Sequence, residues 1–375
     1  MSAGIRLFLA GDVMTGRGID QILHHPGDPG LHESFVHDAR DYVALAAATG
    51  GDIPRGVDDA YVWGDALGEL ARARPAARIV NLETAVTRSA DWEPKGINYR
   101  MHPANAGCLR AAAIDCAVLA NNHVLDWGVA GLDETLQTLV ASGIGAAGAG
   151  ADRAAAAAPA VLPLAGKARV LVFAFATASS GVPADWGAGE ASPGVNLLAA
   201  LSQREVDDLA ARAAELRRPG DLVVASIHWG GNWGYDIAPA HVAFAHALID
   251  SAGVDLVHGH SSHHPLAIEV YRGKLVLYGC GDFVNDYEGI GGMERYRAEL
   301  GLMYLPEIEP GSGRLLELRM SAFARRRLRL CSASAADTRW LCAMLDREGR
   351  RFGTRTRARA ANRFVLDWEG RGRAH

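Results

Sequence analysis

Short apolar runs recur along the chain, and each ends abruptly in polar or glycine residues. The runs cover residues 5–10, 78–80, 116–120, 222–227, 254–257 and 275–278. Apolar runs of about four to eight residues are typical of strands buried on both faces of a sheet. We therefore expect buried strands with polar side chains at their carboxyl ends.

Amphipathic helical patterns lie between these runs. They cover residues 131–140, residues 202–217, which open with a Ser202-x-x-Glu205 capping box, and residues 239–250. Alternating strands and helices predict an α/β layered fold. Ligands bind such sheets at the carboxyl ends of the strands, so the polar residues there are the candidates for function.

From about residue 299, the alternation of apolar runs with amphipathic helical segments gives way to a different pattern. Residues 300–310 and 314–323 predict an antiparallel strand pair, and a helix is expected over residues 335–352. The Arg-rich segment after Gly353 is interpreted as a solvated or partly ordered arm. We thus divide the chain into a main domain over residues 1–330 and a helical, Arg-rich extension over residues 331–375.

Composition narrows the function classes. The chain has 375 residues, of which 49% are hydrophobic and 22% charged, as in an ordinary globular protein. A net charge of −5 gives no case for nucleic-acid binding. The five cysteines form no C-x-x-C pair, which argues against a disulfide framework and a thiolate zinc site.

The hydropathy of the chain indicates where in the cell the protein is expected to be. No apolar stretch approaches the roughly 18 residues that span a bilayer, and the segment after Met1 lacks the features of a signal peptide. We expect a cytoplasmic protein without a membrane anchor. The oligomeric state stays open.

The polar residues that end the predicted strands form one candidate site. They are Asp12, Glu83, Asn122, His123, His228, His260 and His263. Imidazole nitrogens combined with carboxylate and amide oxygens suit divalent metals of the Mn, Zn, Fe or Co type rather than calcium. The sequence therefore predicts a site for one or two divalent metal ions.

Further residues are candidates for substrate binding. Trp229 and Trp233 lie in a glycine-rich loop after His228, and Asp282 lies in a second polar loop. Arg17 and Arg100 could bind a carboxylate or phosphate through two parallel hydrogen bonds. For the aromatic residues, a role in packing is an equally good interpretation. For the arginines, a surface salt bridge is an equally good interpretation.

Several motifs, in their order along the chain, resemble the CapA family, named for a poly-γ-glutamate capsule protein. They are Gly11-Asp-Val-Met-Thr-Gly-Arg17, Asn81-Leu-Glu83, Leu119-Ala-Asn-Asn-His-Val-Leu-Asp126, His228-Trp-Gly230, Gly259-His-Ser-Ser-His263, Ile268-Glu-Val-Tyr271 and Gly281-Asp-Phe283. The family is similar in fold to the calcineurin-like metallophosphoesterases. The resemblance, over roughly residues 4–290, implies a four-layer α/β/β/α sandwich.

The resemblance also implies roles. Asp12, Glu83, Asn122, His228, His260 and His263 correspond to metal ligands, and His123, His263 and Asp12 to catalytic residues. Two departures stand out: Met14 lies where the phosphoesterases have a histidine, and Asn81 lies where Gly-Asp is usual. One metal position is therefore expected to be short of ligands, and a mononuclear or asymmetric site is favoured.

The resemblance implies a metal-dependent enzyme that uses acid/base chemistry on a peptide, γ-glutamyl or related amide-containing acid. Three alternatives stay open: Cα epimerisation, as in lasso-peptide pathways, phosphoester hydrolysis, and a non-catalytic role in assembling a capsule polymer. Met14 and Asn81 argue against phosphoester hydrolysis, and the expected lack of a membrane anchor argues against the assembly role.

Overall fold

The computed structural model describes residues 4–166 and 168–370. Strands β1 to β21 span Ile5–Val13, Ala77–Leu82, Ala85–Val86, Arg100–Met101, Cys116–Val118, Gly145–Ala147, Ala149–Gly150, Ala160–Pro163, Arg169–Thr177, Gly194–Val195, Leu197–Leu198, Leu222–His228, Leu256–His260, Ile268–Tyr271, Lys274–Leu277, Asp282–Val284, Leu300–Ile308, Leu315–Arg326, Arg329–Ser332, Thr354–Ala360 and Arg363–Trp368. Helices α1 to α9 span Gly18–Ile22, Arg40–Gly50, Asp65–Ala73, Gly107–Ala111, Gly128–Ala141, Arg153–Ala157, Gln203–Leu216, Pro239–Ser251 and Ala335–Gly349.

Two large sheets organise the molecule. The first has the order β20-β21-β18-β17-β1-β2-β5-β6, with β16 also paired to β1 and β19 to β18. The second has the order β11-β9-β12-β13-β15-β14, with β8 paired to β9. Strands β1, β2 and β5 run parallel to one another, and so do β9, β12 and β13, so each sheet presents several carboxyl ends at one edge.

Alternation along β9 shows how the layers stack. Val170, Val172 and Ala174 belong to the apolar cluster that includes the first sheet, whereas Leu171 and Phe173 belong to a second cluster with α7 and α8. Because successive strand residues point to opposite faces, the second sheet lies between the first sheet and these helices. Helices α3 and α5 pack against β19 and β6 of the first sheet. The predicted α/β/β/α sandwich is confirmed.

The apolar runs form β1, β2, β5, β12, β13 and β15, and the three amphipathic patterns form α5, α7 and α8. One local prediction is wrong: the Ser202 side chain makes no capping hydrogen bond at the start of α7. In the described part of the chain, none of the helices has the length and apolar character that crossing a membrane requires.

The C-terminal region differs from the expected helical extension. Strands β17 and β18 and helix α9 form as predicted, but β19 crosses the proposed boundary at residue 330. The Arg-rich segment forms the hairpin β20–β21, and β21 pairs with β18 in the first sheet. Its Phe364 and Leu366 are buried, while Arg355, Arg357 and Arg359 are exposed. The arginines therefore cover the solvent face of a strand pair; the predicted arm also included residues 371–375, which lie outside the described residues.

Candidate metal centre

The centre lies where carboxyl ends of the two sheets meet. Asp12 is near the end of β1, next to Asn81 of β2 on one side and Asp282 of β16 on the other. His228 and His260 end the neighbouring strands β12 and β13 and lie opposite each other in register. Parallel pairing within each sheet, followed by packing of the two sheets, brings together residues that are far apart in sequence.

A first group of potential ligands consists of Asp12, His228 and His260. Each is buried, and one ligand atom from each lies within 4.8 Å of the others. The Nδ1 atoms of His228 and His260 are 2.8 Å apart, and Nε2 of His228 is 3.0 Å from Oδ1 of Asn122. Burial holds the pKa of both histidines well below its ordinary value. Their neutral imidazoles therefore have lone pairs to offer to a cation.

A second group consists of Asp12, His263 and Asp282, again within 4.8 Å of one another. Nδ1 of His263 is 2.8 Å from Oδ1 of Asp282, and Asn285 donates to the other oxygen of Asp282 at 2.7 Å. Burial alone would lower the pKa of His263, but the charges of Asp282 and Asp12 outweigh it and raise the pKa. Asp282, expected to touch substrate, is completely buried in this group.

Glu83 and Asn81 lie between Asp12 and His123. The Asn81 amide donates to Oδ1 of Asp12 at 2.7 Å and to Oε2 of Glu83 at 3.3 Å. Oε1 of Glu83 is 3.8 Å from Nε2 of both His123 and His228. Burial, together with the charge of Asp12, raises the pKa of Glu83 well above its ordinary value. Asn81 thus holds two carboxylates at this junction without adding a third charge.

The donor set fits a divalent cation. Oδ2 of Asp12 is buried and has no hydrogen-bond partner among the described residues. Burial and the charge of Asp282 raise the pKa of Asp12 to about 7. A buried oxygen without a partner is costly, and a cation bound there would satisfy it. Oxygen and imidazole donors at one point suit a transition metal ion.

His123 lies beside this group, in the loop after β5. Its Nδ1 is 2.7 Å from Oδ2 of Asp126. The Lys95 ammonium is also 3.3 Å from Nδ1, but the Asp126 carboxylate is nearer and only accepts, so we assign the proton to Nδ1 and the lone pair to Nε2. Burial lowers the pKa of His123 to about 4, even though Asp126 acts in the opposite direction. The imidazole of His123 is therefore neutral at neutral pH, so Nε2 has a lone pair for a reacting group.

Asp126 and Lys95 were missed as functional residues in the sequence. The Lys95 ammonium is 2.8 Å from the other oxygen of Asp126 and also donates to the backbone carbonyl of Asn122. For Asp126 the signal was its position three residues after His123. Lys95 lies in an irregular segment and reaches the centre only through the tertiary fold, so its sequence context carried no signal.

Of the predicted substrate-binding residues, Trp233 lies near the centre. Its ring centroid is 5.3 Å from that of His263. Trp229 is instead buried: its indole donates to the carbonyl of Tyr278 at 2.8 Å and its ring stacks on His241. Packing, the alternative weighed for these aromatic residues, accounts for Trp229.

The two arginines bind other partners. Arg17 is buried between the carboxylates of Glu33 and Asp286, at 2.8 and 2.6 Å. Arg100 lies over the Trp127 ring at 3.8 Å and donates to backbone carbonyls, including that of Ser89. Both guanidinium groups are thus engaged within the protein.

Comparison with known proteins identifies the family. The family model described as "Bacterial capsule synthesis protein PGA_cap" matches residues 6–287. The chain belongs to this family. A "probable polyglutamine synthesis accessory protein" of Mycobacterium tuberculosis is 49% identical over 360 residues, which cover 96% of this chain and 94% of that one.

More distant PGA_cap relatives are similar over shorter stretches. "PGA biosynthesis protein CapA" of Bacillus subtilis is 27% identical over 280 residues, which cover 74% of this chain and 62% of that one. Among solved structures, a phosphatase of Mycoplasma pneumoniae is similar over 86% of this chain and 95% of that one, with 12% identity and a TM-score of 0.44.

Proposed function

We propose that this PGA_cap protein is a metal-dependent enzyme that acts on a peptide, γ-glutamyl or related amide-containing acid. The observation that supports it most directly is the position of Asp12. Asp12 belongs to both groups of potential ligands, and its Oδ2 has no hydrogen-bond partner among the described residues. A neutral imidazole, that of His123, lies at the same junction.

The chain's own residues would handle the proton. A bound cation would polarise the substrate carbonyl. Nε2 of His123 accepts a proton from a water molecule or from the substrate, while Asp126 fixes the ring and carries the opposite charge. Lys95 holds Asp126 in place from the other side. Asn81 keeps Asp12 and Glu83 directed to the junction.

Asp282 would supply the ligand that Met14 lacks. Met14 is buried, and its sulfur lies 3.9 Å from the Tyr287 hydroxyl. Asp282 lies beside Asp12 on the neighbouring strand and contacts His263. The centre would then have two unequal positions that share Asp12: an imidazole-rich one with His228 and His260, and a carboxylate-rich one with His263 and Asp282.

Cα epimerisation is the second candidate, and one observation favours it. The pKa of His123 is lowered and that of His263 is raised, so a base and an acid lie at one site. Opposite shifts of this kind separate proton acceptor from proton donor. For epimerisation, His228 and its neighbours would hold a single cation, and His263 would stay free to deliver a proton.

Metal content tests the proposal. Protein stripped with a chelator and reloaded with Mn, Zn, Fe or Co is expected to retain metal after desalting, as measured by elemental mass spectrometry. His228→Ala should lower the retained metal, whereas His246→Ala, a matched histidine paired with Glu269 on the far side of the second sheet, should not. A wild-type protein that binds none of the four cations refutes the enzyme proposal.

Substrate panels separate the reactions. Reloaded protein is incubated with phosphoesters, γ-glutamyl peptides and α-linked peptides, the last in D₂O. Amide cleavage supports hydrolysis, and deuterium uptake at Cα without cleavage supports epimerisation. Phosphoester cleavage alone would contradict the proposed substrate class, and metal binding with no reaction on any panel would favour the assembly role that the names of its relatives suggest.

A further inference from the structure

A cavity of about 880 Å³ adjoins the metal centre. Trp233, Asn285 and Tyr287 line it and also contact the centre. The ring centroids of Trp233 and Tyr287 lie 5.3 and 5.4 Å from that of His263, and Asn285 donates to Asp282. A substrate whose reacting group lies at the centre would extend into this cavity, whose volume is typical of ligand sites.

The cavity exposes large apolar side chains. Phe35, Ile97 and Ile290 line it with 68%, 36% and 46% of their surface exposed. Exposed apolar side chains gathered at one place mark a binding surface, whereas single ones are ordinary. Covering them with apolar ligand groups removes their surface from water, which favours binding.

Among the described residues, four arginines line the cavity, and two of them pair with carboxylates of the protein. Arg17 is held by Glu33 and Asp286, and Arg297 pairs with Asp337 at 2.6 Å. These pairs leave the two guanidinium groups with little net charge for an anionic ligand.

The third lining arginine donates to backbone carbonyls, and carboxylates line the cavity beside it. Arg325 is buried and donates to the backbone carbonyl of Asp282 at 2.7 Å. Three glutamates also line the cavity, namely Glu288, Glu294 and Glu299. Glu299 itself pairs with Arg297, and the fourth lining arginine, Arg326, is exposed. With the partners Glu33, Asp286 and Asp337 included, six carboxylates face four guanidinium groups. A polyanion entering here would therefore meet net negative charge, whereas an uncharged chain would not be repelled.

We propose that this cavity binds a neutral, apolar peptide segment next to the reacting residue of the substrate, and that it selects against a γ-linked glutamate chain. The proposal rests on the proposed function only in placing the reacting residue at the centre. Apolar contacts with Phe35, Ile97 and Ile290 supply the affinity, and the glutamates supply the selection.

Calorimetric titration of the full chain, stripped of metal, tests the cavity apart from any reaction. The probes are a neutral hexapeptide, N-acetylated and C-amidated, in which serine alternates with leucine and phenylalanine, and a γ-linked hexaglutamate. At physiological salt the neutral peptide is expected to bind at least about tenfold more tightly. Equal or tighter binding of the hexaglutamate, or no binding of the neutral peptide, overturns the proposal.

Substitutions locate the binding surface. Ile290→Asp and Phe35→Asp are each expected to weaken binding of the neutral peptide about tenfold. Val140→Asp is the matched control, because Val140 is 77% exposed on α5 and is not among the residues that line the cavity. If both variants bind the neutral peptide as tightly as the control does, the peptide binds outside this cavity. If the protein binds the peptide but takes up no metal, the proposed enzymatic function is refuted, whereas the proposal that the cavity binds a neutral peptide still holds.

Discussion

Asp12 is the residue on which the candidate metal centre depends. One carboxylate oxygen receives a hydrogen bond from Asn81, and the other is buried without a partner among the described residues. Burial and the neighbouring Asp282 raise its pKa to about 7. A proton therefore competes with a metal ion for this carboxylate near neutral pH.

Metal affinity should rise with pH between about 6 and 8. Below about pH 7 the metal-free protein holds a proton on Asp12 that a cation must displace, whereas His228 and His260, with lowered pKa values, are already neutral. At the position formed by Asp12, His228 and His260, one displaced proton changes affinity by at most about tenfold per pH unit. Calorimetry in buffers of different ionisation enthalpy counts the released protons, and an affinity independent of pH would contradict this account.

Stability of the metal-free protein should change in the opposite direction. The folded state binds the Asp12 proton more tightly than the unfolded chain does, because the folded pKa is raised from 3.8 to about 7. Asp12 thus makes its full contribution to the free energy of unfolding below about pH 4, and this contribution is lost as the pH rises towards 7. Urea unfolding of wild type and Asp12→Asn at several pH values measures it; identical pH dependence in both proteins would argue against a raised pKa.

Asp282→Asn should separate the two groups of ligands. The substitution keeps the side-chain shape but removes the charge that raises the pKa of His263. We expect the carboxylate-rich position to lose its metal while the position with His228 keeps it, and the imidazole of His263 to titrate at lower pH. Elemental analysis and NMR titration provide the measurements, with Asp250→Asn, which contacts Tyr271, as the control. Unchanged metal content would remove Asp282 from the ligand set.

Most residues of the candidate site could be predicted from the sequence because they lie at the ends of strands. His228 and His260 could be chosen from the sequence because each ends an apolar run. Asp282 was predicted as a substrate-binding residue, and its pairing with Asp12 could not be predicted because it depends on β16 lying beside β1, a long-range contact that no local pattern encodes. Lys95 was missed for the same physical reason.

Close approach of two backbones fixes the geometry at the level of elements. The Asp12 amide donates to the carbonyl of Gly281, and a Cβ added to Gly11 would overlap that carbonyl. Glycine at position 11 therefore lets β1 and the segment before β16 meet, which brings Asp12 and Asp282 together. The sequence showed the glycine, but only the structure shows the atom it makes room for.

Gly11→Ala should destabilise the protein and weaken metal binding. Relieving the overlap requires one backbone to move, and forcing extra atoms into a packed site costs about 1–3 kcal/mol. Gly231→Ala is the control, because a Cβ there has no described neighbour within 4 Å. Thermal melting of the metal-free proteins and their metal affinities give the comparison; equal values for both variants would refute the role assigned to Gly11.

At the scale of the whole molecule, the centre belongs to two sheets. The first contributes Asp12, Glu83 and Asn122 with the loops that follow its strands, and the second contributes His228 and His260. The alternation of strands and helices predicted an α/β layered fold, whereas the two packed sheets were implied by the resemblance to the CapA family. The assignment of residues 331–375 to a separate extension was not supported by β19 and β21, because both pair with β18.

Truncation after residue 353 should destabilise the entire fold. It removes Phe364, Val365 and Leu366, all buried in the first sheet, and each such side chain contributes about 1.5–3 kcal/mol when buried. We expect a loss above about 4 kcal/mol, seen as a lower urea midpoint or a loss of soluble protein. A chain that ends at Gly370 is the control. A truncated chain as stable as this control would support an independent extension.

The position of β1 within the first sheet has a consequence for biosynthesis. Ile5 of β1 pairs with Ile308 of β17, and Asp12 pairs with Asp282 of β16. A ribosome adds roughly 5–20 residues per second, so β1 waits roughly 15–60 s for these partners after it is made. During translation its apolar side chains lack these final neighbours, and that surface stays exposed to other molecules until the last third of the polypeptide emerges.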